Sequence, residues 1–168
     1  DDLEKSLLDA WKDGSASVII SSGIAKLDSM LNGGFTLDKL YTIGAAPGTG
    51  KTSLAQQIIV NALKNNFGAL FISMEMDKRN LFTRFLSSFS KINPFRILIN
   101  KIFKHEQEKF DFALKEWNLL KKNYFMTEGT LSLKKIETTL KRKIKSSQIK
   151  LLVVDYIQIM ELKESSNI

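Results

Sequence analysis

The chain has 168 residues, 43% hydrophobic and 26% charged, which suits one globular domain with a sizeable buried core. It holds no cysteine and one histidine, His105, which excludes disulfides, thiolate metal sites, thiol nucleophiles and a histidine-built metal centre. The net charge of +7 is uneven: residues 78 to 150 carry 18 Lys and Arg against 6 Asp and Glu, so the second half is basic and the remainder acidic.

Along the chain, "DDLEKSLLDAW" is acidic and has no signal-peptide pattern, and no apolar run reaches the roughly 18 to 20 residues that span a bilayer. A cytoplasmic protein without membrane contact is expected. Leu3, Leu7, Leu8 and Trp11 recur at helical spacing, and "KDGSAS" reads as a linker, so residues 1–20 are expected to form a peripheral helix and linker. In "SSGIAKLDSMLNGGF", Leu27, Met30 and Leu31 share a helical face, and Gly33-Gly34 is the stop signal. "KLYTIGA" is a compact apolar run and reads as a buried strand leading into "GAAPGTGKTS" at residues 44 to 53. From Lys51, apolar Leu54, Ile58, Ile59, Ala62 and Leu63 predict a helix closed by "KNNFG".

"ALFISME" predicts a second strand, followed by a helix from about Asp77 to Phe89 and a break at Pro94. One or two helices fill the stretch to Lys122, with Trp117 on the face of Phe110, Ala113 and Leu114 as ordinary core packing. "NYFMTEG" reads as a short strand. Leu133, Ile136, Leu140 and Ile144 then predict an amphipathic helix, and "IKLLVVDYIQIM" the last strong strand. Strands alternating with helices at this rhythm predict a mainly parallel sheet covered on both faces, the α/β class.

Binding a phosphate chain requires converging backbone N–H groups, a helix N-terminus, a cation for the terminal phosphate and a hydroxyl for Mg2+. The stretch Ala45, Ala46, Pro47, Gly48, Thr49, Gly50, Lys51, Thr52, Ser53 supplies all four. Gly48 and Gly50 permit positive φ, Lys51 brings the ammonium and Thr52 the metal-directed hydroxyl. Ala45 stands where the strict Walker A pattern has glycine. A bound triphosphate also needs carboxylates at neighbouring strand ends. Asp155, ending "LLVVD", has the Walker B arrangement that holds Mg2+; Glu75, ending "LFISME", is the candidate to take a proton from the attacking water. Gln158 either senses the phosphate or packs. Basic runs such as "KKIETTLKRKIK" read first as the wet face of a helix, with polyanion binding as the other reading.

Together these residues resemble the RecA-like ATPase domain of DnaB-type replicative DNA helicases. "SSGIAKLDSMLNGG" is similar to that family's entry segment, "TIGAAPGTGKTSLAQQI" to its Walker A with alanine at the first position, "FISMEMDKRNLFTRFLSS" to its glutamate motif and "LLVVDYIQIM" to its Walker B. The most discriminating parts are "SMEM" and "DYIQ". The resemblance implies a RecA-like P-loop NTPase at residues 21–168, incomplete at its C-terminus, with ATP and Mg2+ as cofactors. It also implies Lys51 and Thr52 at phosphate and metal, Glu75 polarising water, Asp155 holding the metal, and 5'-3' unwinding by a homo-hexamer. Single-stranded DNA at a replication fork, and a primase or helicase loader, are the implied partners. An arginine finger from a neighbouring subunit and dedicated DNA loops would lie beyond residue 168, so the chain alone is expected to bind nucleotide and turn it over slowly. Two other readings are a RecA, RadA or KaiC-like ATPase, not expected to carry "DYIQ", and a non-catalytic nucleotide- or DNA-binding module.

Overall fold

The computed structural model describes residues 4–5, 8–9, 18–129, 132–146 and 149–155. The helix and linker expected over residues 1–20 fall largely outside these residues, as does Gln158. The chain forms two compact units, residues 1–42 and 43–168. Among the described residues no helix is long and apolar enough to cross a membrane.

In the first unit, β1 (Ile19–Ile20) pairs antiparallel with β2 (Phe35–Thr36), and α1 (Ala25–Met30) lies between them in sequence. Asp28 ties the entry to α1 by accepting from the Ser21 hydroxyl at 2.6 Å and the Ser22 amide at 2.7 Å. Hydrogen bonding from the Ser21 side chain first, then from the Ser22 side chain and backbone, holds its carboxyl below the usual carboxylate range. The expected glycine stop is present for a steric reason. Gly34 has φ +142°, and a Cβ there would meet the Ile20 carbonyl oxygen at 2.5 Å. The helical face read from the sequence is only partly covered, since Met30 is 74% exposed.

The second unit is built on a parallel three-stranded sheet in the order β4-β3-β5, with β3 spanning Gly68–Ser73, β4 Tyr124–Glu128 and β5 Ile149–Asp155. Among the described residues five α-helices accompany it: α2 (Lys51–Lys64), α3 (Lys78–Ser90), α4 (Pro94–Leu98), α5 (Gln107–Leu120) and α6 (Leu133–Ser146). All six residues of β3 are buried. Because side chains alternate along a strand, Ala69 and Phe71 enter one core with Ile59, Leu63, Leu81, Phe85 and Ala113, while Leu70 and Ile72 enter another with Ile136 and Ile149. Both faces of β3 are therefore covered, which is why its sequence is continuously apolar rather than alternating. Trp117 packs on the first core edge-on to Phe85, at 5.0 Å between ring centroids, as its helical spacing predicts.

The apolar run "KLYTIGA" does not form the buried strand expected of it. No residue from 37 to 50 is in a strand, and Leu40, Tyr41 and Ile43 are 87%, 39% and 43% exposed. Composition suits this segment to a strand, but strand formation requires a hydrogen-bonding neighbour, and among the described residues none pairs with it. Within the described residues the other expected elements appear; the stretch 156–160 of the expected last strand lies outside them. Pro94 opens α4 at its first position, behind an Asn93 side chain that accepts from the Phe95 amide at 2.9 Å. Beyond it, Arg96 grips the Glu106 carboxylate with two nitrogens and lies 3.8 Å from the centroid of the Phe103 ring, which commits this arginine to the fold.

Candidate phosphate and metal site

Parallel strands bring their carboxyl ends to one edge of a sheet, and here Ser73 of β3 stands in register with Glu128 of β4 on one side and Asp155 of β5 on the other. The loop before α2 belongs to the same unit. Its residues Gly44, Ala45, Ala46, Pro47, Gly48, Thr49 and Gly50 are all exposed. Local bonds give the loop its curvature. Thr49 donates through Oγ1 to the Ala46 carbonyl at 2.7 Å, and the Lys51 ammonium donates to the carbonyls of Ala45 at 2.8 Å and Ala46 at 3.3 Å.

Gly48 has φ +76° and Gly50 φ +103°, and a Cβ at either would meet nothing within 4 Å. Backbone conformation, not crowding, is what requires glycine at these two positions. Gly50 is the residue that enters α2, and no side chain caps that helix. The first amides of α2 thus lack intrahelical acceptors and sit at the positive end of the helix dipole, the arrangement that receives a phosphate.

Across the sheet edge, the Thr52 hydroxyl donates to Oδ2 of Asp155 at 2.6 Å, joining positions 103 residues apart. Asp155 is 8% exposed. A hydroxyl and a carboxylate side by side, next to a phosphate-receiving helix end, are the hard oxygen donors that Mg2+ takes alongside phosphate oxygens. The donor set therefore fits that ion.

Glu75 lies in the turn after β3 and its side chain is exposed. The Met74 amide in this turn donates to the Asp155 carbonyl at 2.8 Å, so the two carboxylate-bearing segments are backbone neighbours. Ser53, in the first turn of α2, is exposed and accepts from Nη1 of Arg84 on α3 at 3.3 Å. The contact links α3 to the start of α2. A second link is buried. Gln56 on α2 donates to the Leu81 carbonyl of α3 at 2.9 Å. Nearby, burial pushes the Tyr124 phenol pKa up, with Gln56 opposing it.

One further carboxylate at this edge was missed from sequence. Glu128 closes β4 and accepts from the Lys78 amide at 2.5 Å. The rule that singled out Glu75 and Asp155, a carboxylate at the end of an apolar strand, applies equally to "YFMTE". Among the described residues no group of three or more His, Cys, Asp or Glu comes together as a separate metal cluster.

Against known proteins, the model of the family described as DnaB-like helicase C terminal domain matches residues 19–168. A probable replicative DNA helicase of Trieres chinensis is 34% identical over 155 residues, covering 89% of this chain and 33% of that protein. The replicative DNA helicase DnaB of Helicobacter pylori is 30% identical over 145 residues, covering 84% and 29% respectively. A solved DnaB-like replicative helicase, described with its interactions with primase, matches in fold with a TM-score of 0.80 at 21% identity over 99% of this chain and 41% of that one. The chain spans about a third of the length of the curated relatives it matches.

Proposed function

The chain belongs to the DnaB-like helicase C-terminal domain family and has a RecA-like α/β fold, and from that premise we propose that it is the ATP-hydrolysing motor domain of a replicative DNA helicase. The observation that carries the reading is the Thr52–Asp155 hydrogen bond, which joins the phosphate loop to the end of β5 in the way a metal-bound triphosphate requires. In this reading, backbone amides within residues 45 to 53, Pro47 excepted, and the Lys51 ammonium receive the β- and γ-phosphates. Lys51 leaves its present acceptors, the carbonyls of Ala45 and Ala46, for the phosphate oxygens. Thr52 and Asp155 hold Mg2+, which when bound neutralises charge on the phosphates.

The Glu75 carboxylate takes a proton from water as its oxygen attacks the γ-phosphorus, and the bond to the β-γ bridging oxygen breaks to release ADP. Motors of this kind place the site between subunits, so we assign a homo-hexamer, with a neighbour's arginine stabilising the transferred phosphoryl. Such a residue contributes about 10³ to 10⁵ in rate in other phosphoryl-transfer systems. Single-stranded DNA is the proposed track, with 5'-3' unwinding as the output and a primase or a loader as further partners. Any contact of the basic half with DNA, from residues such as Lys141 and Arg142, would be to phosphate and would weaken steeply with salt.

The test is titration of Mg2+-ATP against the parent and Lys51→Ala. Loss of a charged hydrogen-bond donor predicts a fall in affinity of about 10- to 100-fold. Equal affinities would remove residues 45 to 53 as the nucleotide site.

A further inference from the structure

The turn from Met74 to Asp77 carries Glu75 between the end of β3 and the start of α3, and it is tied down on every side. The Met74 amide donates to the Asp155 carbonyl at 2.8 Å, and the Met76 amide to the buried Ser73 hydroxyl at 3.0 Å. Asp77 caps α3 by accepting from the Asn80 amide at 2.7 Å. None of these bonds is made by the Glu75 carboxylate itself, so its position is inherited from the backbone around it.

The remaining tie comes from a different strand. The Lys78 amide, the first of α3 and without an intrahelical acceptor, donates to Oε2 of Glu128 at 2.5 Å. Asp77 already supplies the ordinary cap of this helix, so Glu128 is not needed for that purpose. What Glu128 adds is a charge-assisted bond that fastens the start of α3 to the end of β4. Glu128 is itself held there, because it lies in register opposite Ser73 and the next amide, Gly129, donates to the Ser73 carbonyl at 3.1 Å.

We propose that Glu128 is a positioning residue for ATP hydrolysis: by holding the Lys78 amide three residues beyond Glu75, it sets where the Glu75 carboxylate stands relative to the phosphate loop. The inference rests on the reading of Glu75 as the base. Its test measures kcat and ATP affinity of the assembled protein, with single-stranded DNA, for the parent, Glu128→Ala, Glu128→Gln, Glu75→Gln and the Glu75→Gln/Glu128→Ala pair.

A misplaced base predicts that Glu128→Ala lowers kcat about 10- to 100-fold with affinity for ATP nearly unchanged. Glu128→Gln keeps an oxygen that accepts from the Lys78 amide and should recover most of the rate. In the Glu75→Gln background, Glu128→Ala should have no further effect. Amide exchange at residues 74 to 80 should rise in Glu128→Ala and return in Glu128→Gln. If Glu128→Ala does not fold, Glu128→Asp, one methylene short of the Lys78 amide, is read in its place. A parent-like kcat in Glu128→Ala beside an inactive Glu75→Gln overturns the positioning role alone, as does an equal loss in both backgrounds. A parent-like rate in Glu75→Gln overturns the reading of the base, and the positioning role with it.

Discussion

From Gly44 to Gly50 every residue of the phosphate loop is exposed, and the bonds that curve it come from Thr49 and Lys51, within a few residues of their acceptors. The turn after β3 is shorter, yet it starts at a buried Met74 and is bonded to the ends of both neighbouring strands, through the Asp155 carbonyl and the Glu128 carboxylate. One loop is shaped locally and left open for a ligand. The other has local bonds too, but is fastened as well by chain about fifty residues away or more. Under the proposed reading, a site that admits a phosphate chain and holds a base still has a use for each kind, because the first must yield to its ligand and the second must not.

The contrast is open to attack in the aromatic packing of α3, the helix that follows the turn. Phe85 on α3 is fully buried against Trp117, Phe89 and Tyr124. Phe85→Ala should destabilise the chain by about 3–5 kcal/mol in urea unfolding, through lost burial and the cavity left behind. A loss under about 1 kcal/mol would mean that α3 is not what anchors the turn.

A smaller effect should divide the two loops more cleanly. Gly50→Ala forces a side chain into φ +103°, at a conformational cost of about 1–2 kcal/mol. An exposed loop can relax to escape that cost until a ligand demands the native shape. The variant should therefore melt close to the parent while binding Mg2+-ATP about tenfold more weakly, which calorimetry and thermal unfolding together would show. Ser73→Ala should do the reverse. It removes the hydroxyl that accepts from the Met76 amide and should cost about 1 kcal/mol of stability, with ATP affinity unchanged. If the two variants behaved alike, the distinction between an open loop and a clamped turn would not hold.

Chemistry that depends on near neighbours is legible in the sequence alone. Two glycines ahead of an amphipathic helix that begins with a lysine and a threonine mark the loop which the proposal assigns to phosphate, because backbone freedom, charge and helix dipole act within a few residues. Period and composition likewise place β3, β5, α2 and α3, since burial on a sheet or a helix face imprints a repeat on the chain. Three features are decided only by tertiary structure. The pairing of Thr52 with Asp155 spans 103 residues, and the bond from Lys78 to Glu128 spans 50, so neither leaves a local pattern. "KLYTIGA" has the composition of a strand and is not one among the described residues, because a strand is completed by a hydrogen-bonded neighbour that its own residues cannot supply.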